Sequence, residues 1–182
     1  LLRGLLDEKC QVIDCGLATT PLHYFAINHL KADGGVMVTA SHNPAEYNGF
    51  KLSRREAEPI GEGSGMEEIR NTAVRGIFPV PEEKGSVTEQ NLETPYLDYI
   101  CSLVDLSRIK KMRVVFDVGN GMVGMLLPKL LERLPMLEAE VLYGDVDMTF
   151  PNHEANPVKD ETLVDLKKAV IEKRADLGVA FD

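Results

Sequence analysis

The sequence predicts an α/β protein of two units: a truncated mixed-sheet domain at residues 1–86, then a β-α-β-α-β domain with a mainly parallel sheet at residues 87–182. Short apolar runs rich in β-branched residues alternate with segments of helical period. Between residues 79 and 94, proline and glycine among polar residues interrupt any helical or strand periodicity, which indicates the boundary between the two domains. The regular strand–helix alternation after it favours parallel strands joined by right-handed crossovers.

The elements of the first unit follow from local signals in chain order. Residues 11–16 predict a strand ended by a glycine, and Thr20 with Pro21 predicts an N-cap followed by proline at the first helical position. Residues 35–39 are short, apolar and β-branched, so they predict a buried strand. A second strand is expected at residues 50–52 after the Asn48–Gly49 turn signal.

A helix closes the first unit, and the second unit repeats strand and helix. Ser64 and Glu67 have the spacing of a capping box, which predicts a helix that continues to about Val74. In the second unit, the same criteria predict three strands, at residues 113–118, 138–143 and 176–181. They also predict three helices: one that starts at Thr94, one over residues 122–134 with an interruption at Pro128, and one over residues 160–173.

Composition limits the classes of function. The chain has a net charge of −9, which argues against a nucleic-acid partner or an anionic membrane surface. With 44% hydrophobic and 27% charged residues it has the balance of an ordinary soluble protein, and it has no apolar run long enough to span a bilayer. Its three cysteines, Cys10, Cys15 and Cys101, form no C-x-x-C pair, so we expect a reducing, cytoplasmic location.

The strongest chemical signal is a serine placed directly after the strand at residues 35–39. Ser41 is followed by His42, and the Asn48–Gly49 turn should bring Lys51 back close to it. A hydroxyl with an imidazole and an ammonium nearby is a plausible place to hold a phosphoryl group, because the cation offsets its charge and turn amides can bind its oxygens.

Residues 39–44 and 47–51 together resemble the phosphoserine loop of the α-D-phosphohexomutase family, in its phosphomannomutase/phosphoglucomutase branch. Further stretches that resemble this family lie at residues 16–21, 116–121, 150–157 and 175–182. The resemblance covers almost the whole chain and implies the later part of domain 1 and most of domain 2 of a four-domain enzyme. The chain lacks an initial methionine and stops directly after an apolar run, so we expect a fragment that is inactive by itself.

The resemblance implies an isomerase that interconverts hexose 1-phosphates and hexose 6-phosphates through a phosphoserine enzyme and a hexose bisphosphate. Ser41 would carry the phosphoryl group, and His42 and Lys51 would contact it. Asp182 would be the first carboxylate of a Mg²⁺ site completed by the phosphorylated Ser41 and by residues beyond this sequence. We expect weak or no specific metal binding by the 182 residues alone.

Two of these assignments keep simpler interpretations open. Adjacent side chains of an extended segment point to opposite faces, so His42 could equally be a turn histidine that bonds backbone. A strand lysine such as Lys51 is usually a solvated charge, although its return across the turn favours a role in the site. We expect His153 to be a loop histidine whose hydrogen bonds are satisfied within the protein, and Asp145 and Asp147 to be charged loop residues outside the active site.

Two alternative functions remain. Gly119, Gly121 and Gly124 form a G-x-G-x-x-G pattern between a predicted strand and a helix, which is the context of a nicotinamide dinucleotide site in an oxidoreductase. Against that alternative, the pattern leaves Ser41 and Asp182 unexplained, and we expect the glycines to form a tight packing turn. The other alternative is a serine-dependent phosphomonoesterase, in which water takes the phosphoryl group from the serine.

Overall fold

The computed structural model describes residues 1–41, 43, 46–78 and 81–182. The predicted α/β class is confirmed, with both mixed and parallel sheets. The chain forms two compact units, one from Leu1–Met37 with Phe50–Thr94 and the other from Val38–Gly49 with Pro95–Asp182. The division into domains at residues 86 and 87 stays a prediction, since a compact unit and a domain of a family need not share boundaries.

The first unit contains two small sheets. Its elements in chain order are α1 (Leu2–Asp7), β1 (Gln11–Asp14), α2 (Thr20–His29), β2 (Gly34–Val38), β3 (Phe50–Arg54), β4 (Pro59–Ile60), α3 (Met66–Arg75) and β5 (Ser86–Glu89). Strands β1 and β5 pair in parallel, while β2, β3 and β4 form a three-stranded sheet in which β3 and β4 run antiparallel.

Helix α2 begins one residue earlier than the sequence indicated. Thr19, and not Thr20, is the N-cap, because its side-chain oxygen accepts a hydrogen bond from the backbone N–H of Leu22 at 3.4 Å. Thr20 is therefore the first helical residue, and Pro21 lies in the first turn, where the missing N–H costs no helical hydrogen bond. The shift leaves the Thr20 hydroxyl free of capping, so that it can bond elsewhere.

The capping box predicted for α3 is wrong. The N-cap is Gly65, in the left-handed region with φ +114°, and Ser64 Oγ accepts instead from the N–H of Gly61 at 2.8 Å. Glu67 accepts from the N–H of Gly63 at 2.9 Å. The two side chains thus stabilise the turn before the helix, and α3 still ends within one residue of the expected Val74.

The second unit is built on a parallel three-stranded sheet of order β7-β6-β8. Its elements are α4 (Glu93–Ser102), which starts at the end of the first unit, β6 (Met112–Asp117), α5 (Leu127–Glu132), β7 (Leu137–Leu142), α6 (Val164–Glu172) and β8 (Leu177–Ala180). Short 3₁₀ turns cover Arg55–Ala57 in the first unit and Leu106–Arg108, Met122–Met125 and Asp160–Leu163 in the second.

The long helix predicted over residues 122–134 is broken earlier than expected. Met122–Met125 form a 3₁₀ turn, and α5 starts at Leu127 with Pro128 in its first turn. Proline is tolerated at that position because the N–H groups of a first turn have no helical acceptor.

The central strand β6 holds the core of the second unit. Val114, Phe116 and Val118 are buried together with Leu127 of α5. At the carboxyl end of β6, Asp117 lies in register with Leu142 of β7 and with Ala180 of β8. The three strands therefore end at one edge, which is where open parallel sheets bind ligands. No helix of the described residues combines the length and the apolarity needed to cross a membrane.

Candidate active site

The loop that carries Ser41 is closed at its base by backbone hydrogen bonding. The N–H of Thr39 donates to the carbonyl of Gly49 at 3.0 Å, which holds the two ends of the loop together. Gly49 is itself held by the Asn48 side chain, whose Oδ1 accepts from the Gly49 N–H at 2.8 Å. This closure is the turn that the sequence predicted after the strand of residues 35–39.

Ser41 has an unusual backbone conformation. Its φ is +57°, which side chains other than glycine rarely adopt, and its N–H donates to Thr39 Oγ1 at 2.9 Å. Asn43 secures the other side of the serine, since its Nδ2 donates to the carbonyl of Ala40 at 2.7 Å. A strained residue that its neighbours hold in place is typical of functional loops. Ser41 is exposed.

The sequence also predicted that His42 and Lys51 contact the phosphoryl group, and the structure describes only Lys51. His42 lies outside the described residues, so its contact with a phosphoryl group stays a prediction. Lys51 lies half-buried in β3 of the other unit, where its Nζ donates to Thr20 Oγ1 at 3.4 Å. Its predicted closeness to Ser41 likewise stays a prediction.

Asp182 follows β8 at the carboxyl edge of the parallel sheet. The N–H of Phe181 donates to the carbonyl of Asp117 at 3.0 Å, which continues the β6–β8 pairing to the residue before Asp182. Asp182 and the Ser41 loop belong to the same compact unit. In the described part of the chain, no three His, Cys, Asp or Glu side chains are grouped to hold a metal ion.

The same edge holds a carboxylate–histidine pair that the sequence analysis missed. Asp117 is 1% exposed, and both of its carboxylate oxygens lie 3.2 Å from Nε2 of His153. The N–H of Gly119 also donates to Asp117 Oδ1, at 3.0 Å. His153 is thus a loop histidine with both ring nitrogens bonded, as the sequence predicted, and its bond to Asp117 fixes its loop to the end of β6. A carboxylate at the carboxyl end of a buried apolar strand was the signal that could have identified Asp117.

The loop after β7 is fixed by a second polar contact. Asn120 is buried, and its Nδ2 donates to the carbonyl of Asp145 at 2.9 Å while its Oδ1 accepts from Asn152 Nδ2 at 2.7 Å. The Asp147 carboxylate accepts from the N–H and hydroxyl of Thr149, and these bonds lower the pKa of Asp147. The Asp147 side chain and the Asp145 carbonyl therefore stabilise the local structure of the loop.

The glycines of the G-x-G-x-x-G pattern allow close packing of this turn. Gly119 has φ +55°, and a Cβ there would lie 3.2 Å from Cε1 of His153. A Cβ on Gly124 would overlap the backbone carbonyl of Gly144. The first and third glycines thus let the turn approach the loop after β7, and this packing explains the pattern without a bound dinucleotide.

Tyr143 provides a spectroscopic probe of this edge. Its hydroxyl donates to Asp165 Oδ2 at 2.7 Å, and this bond is the main reason why its pKa rises to about 12. Because the neutral phenol is favoured in the fold, the contribution to stability is complete below the ordinary pKa of 10 and is lost as pH rises to about 12. We expect Asp165→Asn to move this phenol's ultraviolet titration towards 10. A titration unchanged in that variant would show that the Asp165 bond does not exist in solution.

His23, near Lys51 in the first unit, should produce a loss of stability on the acid side. It is 9% exposed, and burial followed by the charge of Lys51 lowers its pKa below the ordinary 6.5. The unfolded chain then binds the proton more readily, so this contribution is complete above pH 6.5 and is lost as pH falls below it. We expect His23→Leu to flatten the fall in unfolding free energy between about pH 7 and about pH 5. A slope as steep in His23→Leu as in the wild type would contradict this origin of the loss of stability in acid.

Comparison with known protein families decides the assignment. The model for domain I of phosphoglucomutase/phosphomannomutase, an alpha/beta/alpha domain, matches residues 1–78, and the model for domain II matches residues 94–182. The chain belongs to the phosphoglucomutase/phosphomannomutase family. The resemblance seen in the sequence is thereby confirmed, and neither the dinucleotide-binding nor the phosphomonoesterase alternative is supported.

Relatives of the family match over the full length of the chain. A phosphomannomutase of Salmonella typhimurium is 39% identical over 100% of this chain, which spans 41% of that protein. Phosphohexose mutases of Xanthomonas campestris are 40% identical, with this chain spanning 40% of them. The chain thus spans about two fifths of the length of these relatives.

Solved structures give the same fold. A phosphoglucomutase/phosphomannomutase family protein from Burkholderia thailandensis superimposes with a TM-score of 0.78 at 31% identity, covering 96% of this chain and 38% of that one. A putative phosphomannomutase from Thermus thermophilus gives a TM-score of 0.77 at 24% identity, covering 98% of this chain and 41% of that one, which shows the common fold.

Proposed function

We propose that these 182 residues are the part of a phosphohexomutase that carries the phosphoryl group, in an enzyme that interconverts hexose 1-phosphates and hexose 6-phosphates. The observation that carries the proposal is Ser41: an exposed serine with φ +57° in a loop closed by the Thr39–Gly49 hydrogen bond, in a chain of this family. The domain assignments, residues 1–86 and 87–182, are part of the proposal.

The proposed reaction has two transfers at Ser41. A hydroxyl oxygen of the hexose monophosphate attacks the phosphorus of phosphoserine and the bond to Ser41 Oγ breaks. The proton of the attacking hydroxyl passes to a base, and the leaving Ser41 Oγ takes up a proton from an acid. The resulting hexose bisphosphate then reorients in the active site, so that its other phosphoryl group faces Ser41. Ser41 Oγ then attacks its other phosphoryl group, which leaves the isomeric monophosphate and restores phosphoserine. Each transfer thus forms one P–O bond and breaks one.

Cationic groups contribute by offsetting charge on the transferring group, which is the main requirement of phosphoryl transfer. Lys51 and His42 are proposed to contact the phosphoryl oxygens, with Lys51 as the candidate proton carrier. The Thr39 side chain orients the Ser41 backbone through its 2.9 Å hydrogen bond.

The proposed Mg²⁺ would bind a phosphoserine oxygen and Asp182. Both donors are hard oxygens of the kind that this ion prefers. The described residues group no three metal-ligating side chains, so the donors present fit in kind and not in number. We therefore assign no reaction step to the ion. The proposed location of the enzyme is the cytoplasm, and its proposed partners are the hexose phosphate and the hexose bisphosphate.

Phosphopeptide mapping tests the proposal. The intact enzyme that contains this chain would be incubated with glucose 1,6-bisphosphate and Mg²⁺, digested, and analysed by mass spectrometry. We expect one phosphoryl group, on the Ser41 peptide, that is lost when a hexose monophosphate is added. The buried Ser53 provides an internal control that should stay unmodified. An unmodified Ser41 in an enzyme that still converts hexose phosphates would contradict the phosphoserine mechanism.

A further inference from the structure

Two Asn–Gly pairs occur in the sequence, and the proposed mechanism uses neither of them. They are Asn48–Gly49, at the closure of the serine loop, and Asn120–Gly121, after β6. Asparagine before glycine is prone to deamidation, because glycine has no side chain to keep its backbone nitrogen away from the asparagine side chain. A folded protein permits this reaction only where exposure and hydrogen bonding allow it, and the two pairs differ in both.

The Asn48–Gly49 pair has the arrangement that the reaction needs. Asn48 is exposed, and its Oδ1 accepts from the N–H of Gly49 at 2.8 Å. Since Oδ1 is bonded to Cγ, this hydrogen bond places the glycine nitrogen beside the side-chain carbon that it would attack. Gly49 lies outside the described helices and strands, so freeing its nitrogen for attack breaks none of their hydrogen bonds.

The Asn120–Gly121 pair is protected. Asn120 is 5% exposed, its Nδ2 donates to the Asp145 carbonyl, and its Oδ1 accepts from Asn152. The N–H of Gly121 donates to the carbonyl of Val118 at 2.9 Å. Attack of the Gly121 nitrogen on Asn120 would have to break all three hydrogen bonds. The same dipeptide in the same compact unit therefore serves as an internal control.

We propose that Asn48 is a site of spontaneous deamidation in the folded enzyme. The Gly49 nitrogen gives up its proton to solvent and forms a bond to Asn48 Cγ. The Cγ–Nδ2 bond breaks, and Nδ2 takes up a proton and leaves as ammonia. Water then opens the resulting succinimide ring: addition at Cγ gives aspartate, and addition at the backbone carbonyl carbon gives isoaspartate, in which the main chain runs through Cβ and Cγ.

The reaction changes the serine loop at its closure. Isoaspartate lengthens the main chain by a methylene directly before Gly49, whose carbonyl accepts the Thr39 N–H. Both products add a carboxylate to a loop that holds a phosphoryl group under the proposed function, and like charges repel. Deamidated molecules should therefore take up a phosphoryl group at Ser41 more slowly. This consequence rests on the proposed function, whereas the reaction itself does not.

Peptide mapping of the intact enzyme, aged at mildly alkaline pH, tests the reaction without any assay of activity. Trypsin releases residues 32–51, which contain Asn48, and residues 114–129, which contain Asn120. The first peptide also contains Asn43, which cannot cyclise because Pro44 has no N–H. We expect Asn48 to deamidate at least about tenfold faster than Asn120, because hydrogen bonds protect the latter.

The same mapping in denaturing urea separates the effect of the fold from that of the dipeptide. In urea the two Asn–Gly pairs should deamidate at similar rates, with Asn120 accelerated and Asn48 about as fast as in the folded enzyme. An Asn48 as slow as Asn120 in the folded enzyme, or one that reacts only in urea, would overturn the proposal.

The consequence for function is measured on one peptide, since residues 32–51 contain both Ser41 and Asn48. The aged enzyme would be incubated briefly with glucose 1,6-bisphosphate and Mg²⁺ and then digested. We expect phosphoryl loading about fivefold slower on isoaspartate peptides than on unmodified peptides of the same sample, as for the loss of one hydrogen bond. Equal loading would overturn the consequence. If no form of the peptide were ever phosphorylated, the proposed function would fail, while the ageing rates would still decide the deamidation.

Discussion

Ser41→Ala should abolish phosphoryl transfer by the intact enzyme while leaving the fold unchanged. Removing an attacking hydroxyl removes the covalent intermediate itself, so we expect kcat to fall by at least about 10³-fold. Ser41 is exposed, so truncating its side chain opens no buried cavity, and the free energy of unfolding should change little. Steady-state turnover of glucose 1-phosphate and a denaturant titration measure the two effects.

Two variants make this experiment specific. Ser86→Ala removes another exposed serine, at the start of β5, and should keep full activity. Thr39→Val removes the acceptor of the Ser41 N–H and should give an intermediate loss, because the nucleophile remains but is held less well. Wild-type turnover by Ser41→Ala would assign the phosphoryl group to another residue.

Gly124→Ala should produce the largest loss of stability among the substitutions considered. The added Cβ would overlap the carbonyl oxygen of Gly144 and lie 3.2 Å from its carbon, and backbone cannot move away as a flexible side chain can. We expect the free energy of unfolding to fall by about 3 kcal/mol, at the upper end of the usual cost of overpacking. Chemical denaturation followed by circular dichroism measures it.

Gly4→Ala is the matched control for that change. Gly4 lies in α1 with no atom within 4 Å of the added Cβ, and alanine favours helix, so stability should rise slightly. If Gly124→Ala were as stable as the wild type, the turn would not pack as the structure shows. The glycine pattern would then need another explanation, and NAD binding would have to be measured.

The sequence predicted the elements of this fold better than their ends. The strands and helices come from the spacing of apolar residues, which burial enforces over many positions. Caps depend on single hydrogen bonds: Ser64 and Glu67 have the spacing of a capping box but bond to the N–H groups of Gly61 and Gly63. Which of several nearby N–H groups a side chain bonds depends on the geometry of the turn, and the spacing of residues in the sequence does not specify that geometry.

The candidate site was predictable only where its residues are neighbours in the chain. Ser41 lies in a long motif, and the prediction that it carries the phosphoryl group came from that motif. The Asp117–His153 pair joins residues separated by 36 positions, and the course of the loop after β7 brings them together only in the folded chain. His23 lies in a predicted helix, but the close approach of its imidazole ring to Gly35 of β2 depends on how that helix packs.

The division of the chain between the two compact units has a practical consequence for anyone who wishes to study one of them alone. The polypeptide passes from the first unit to the second after Met37, returns after Gly49, and crosses again after Thr94. Neither unit is a continuous piece of sequence, so a gene truncated to residues 95–182 would omit the serine loop. Circular permutants, and split proteins that reassemble from two peptides, would have to allow the chain to cross between the units at all three places. Limited proteolysis at any one crossing would still leave the two units covalently joined through another.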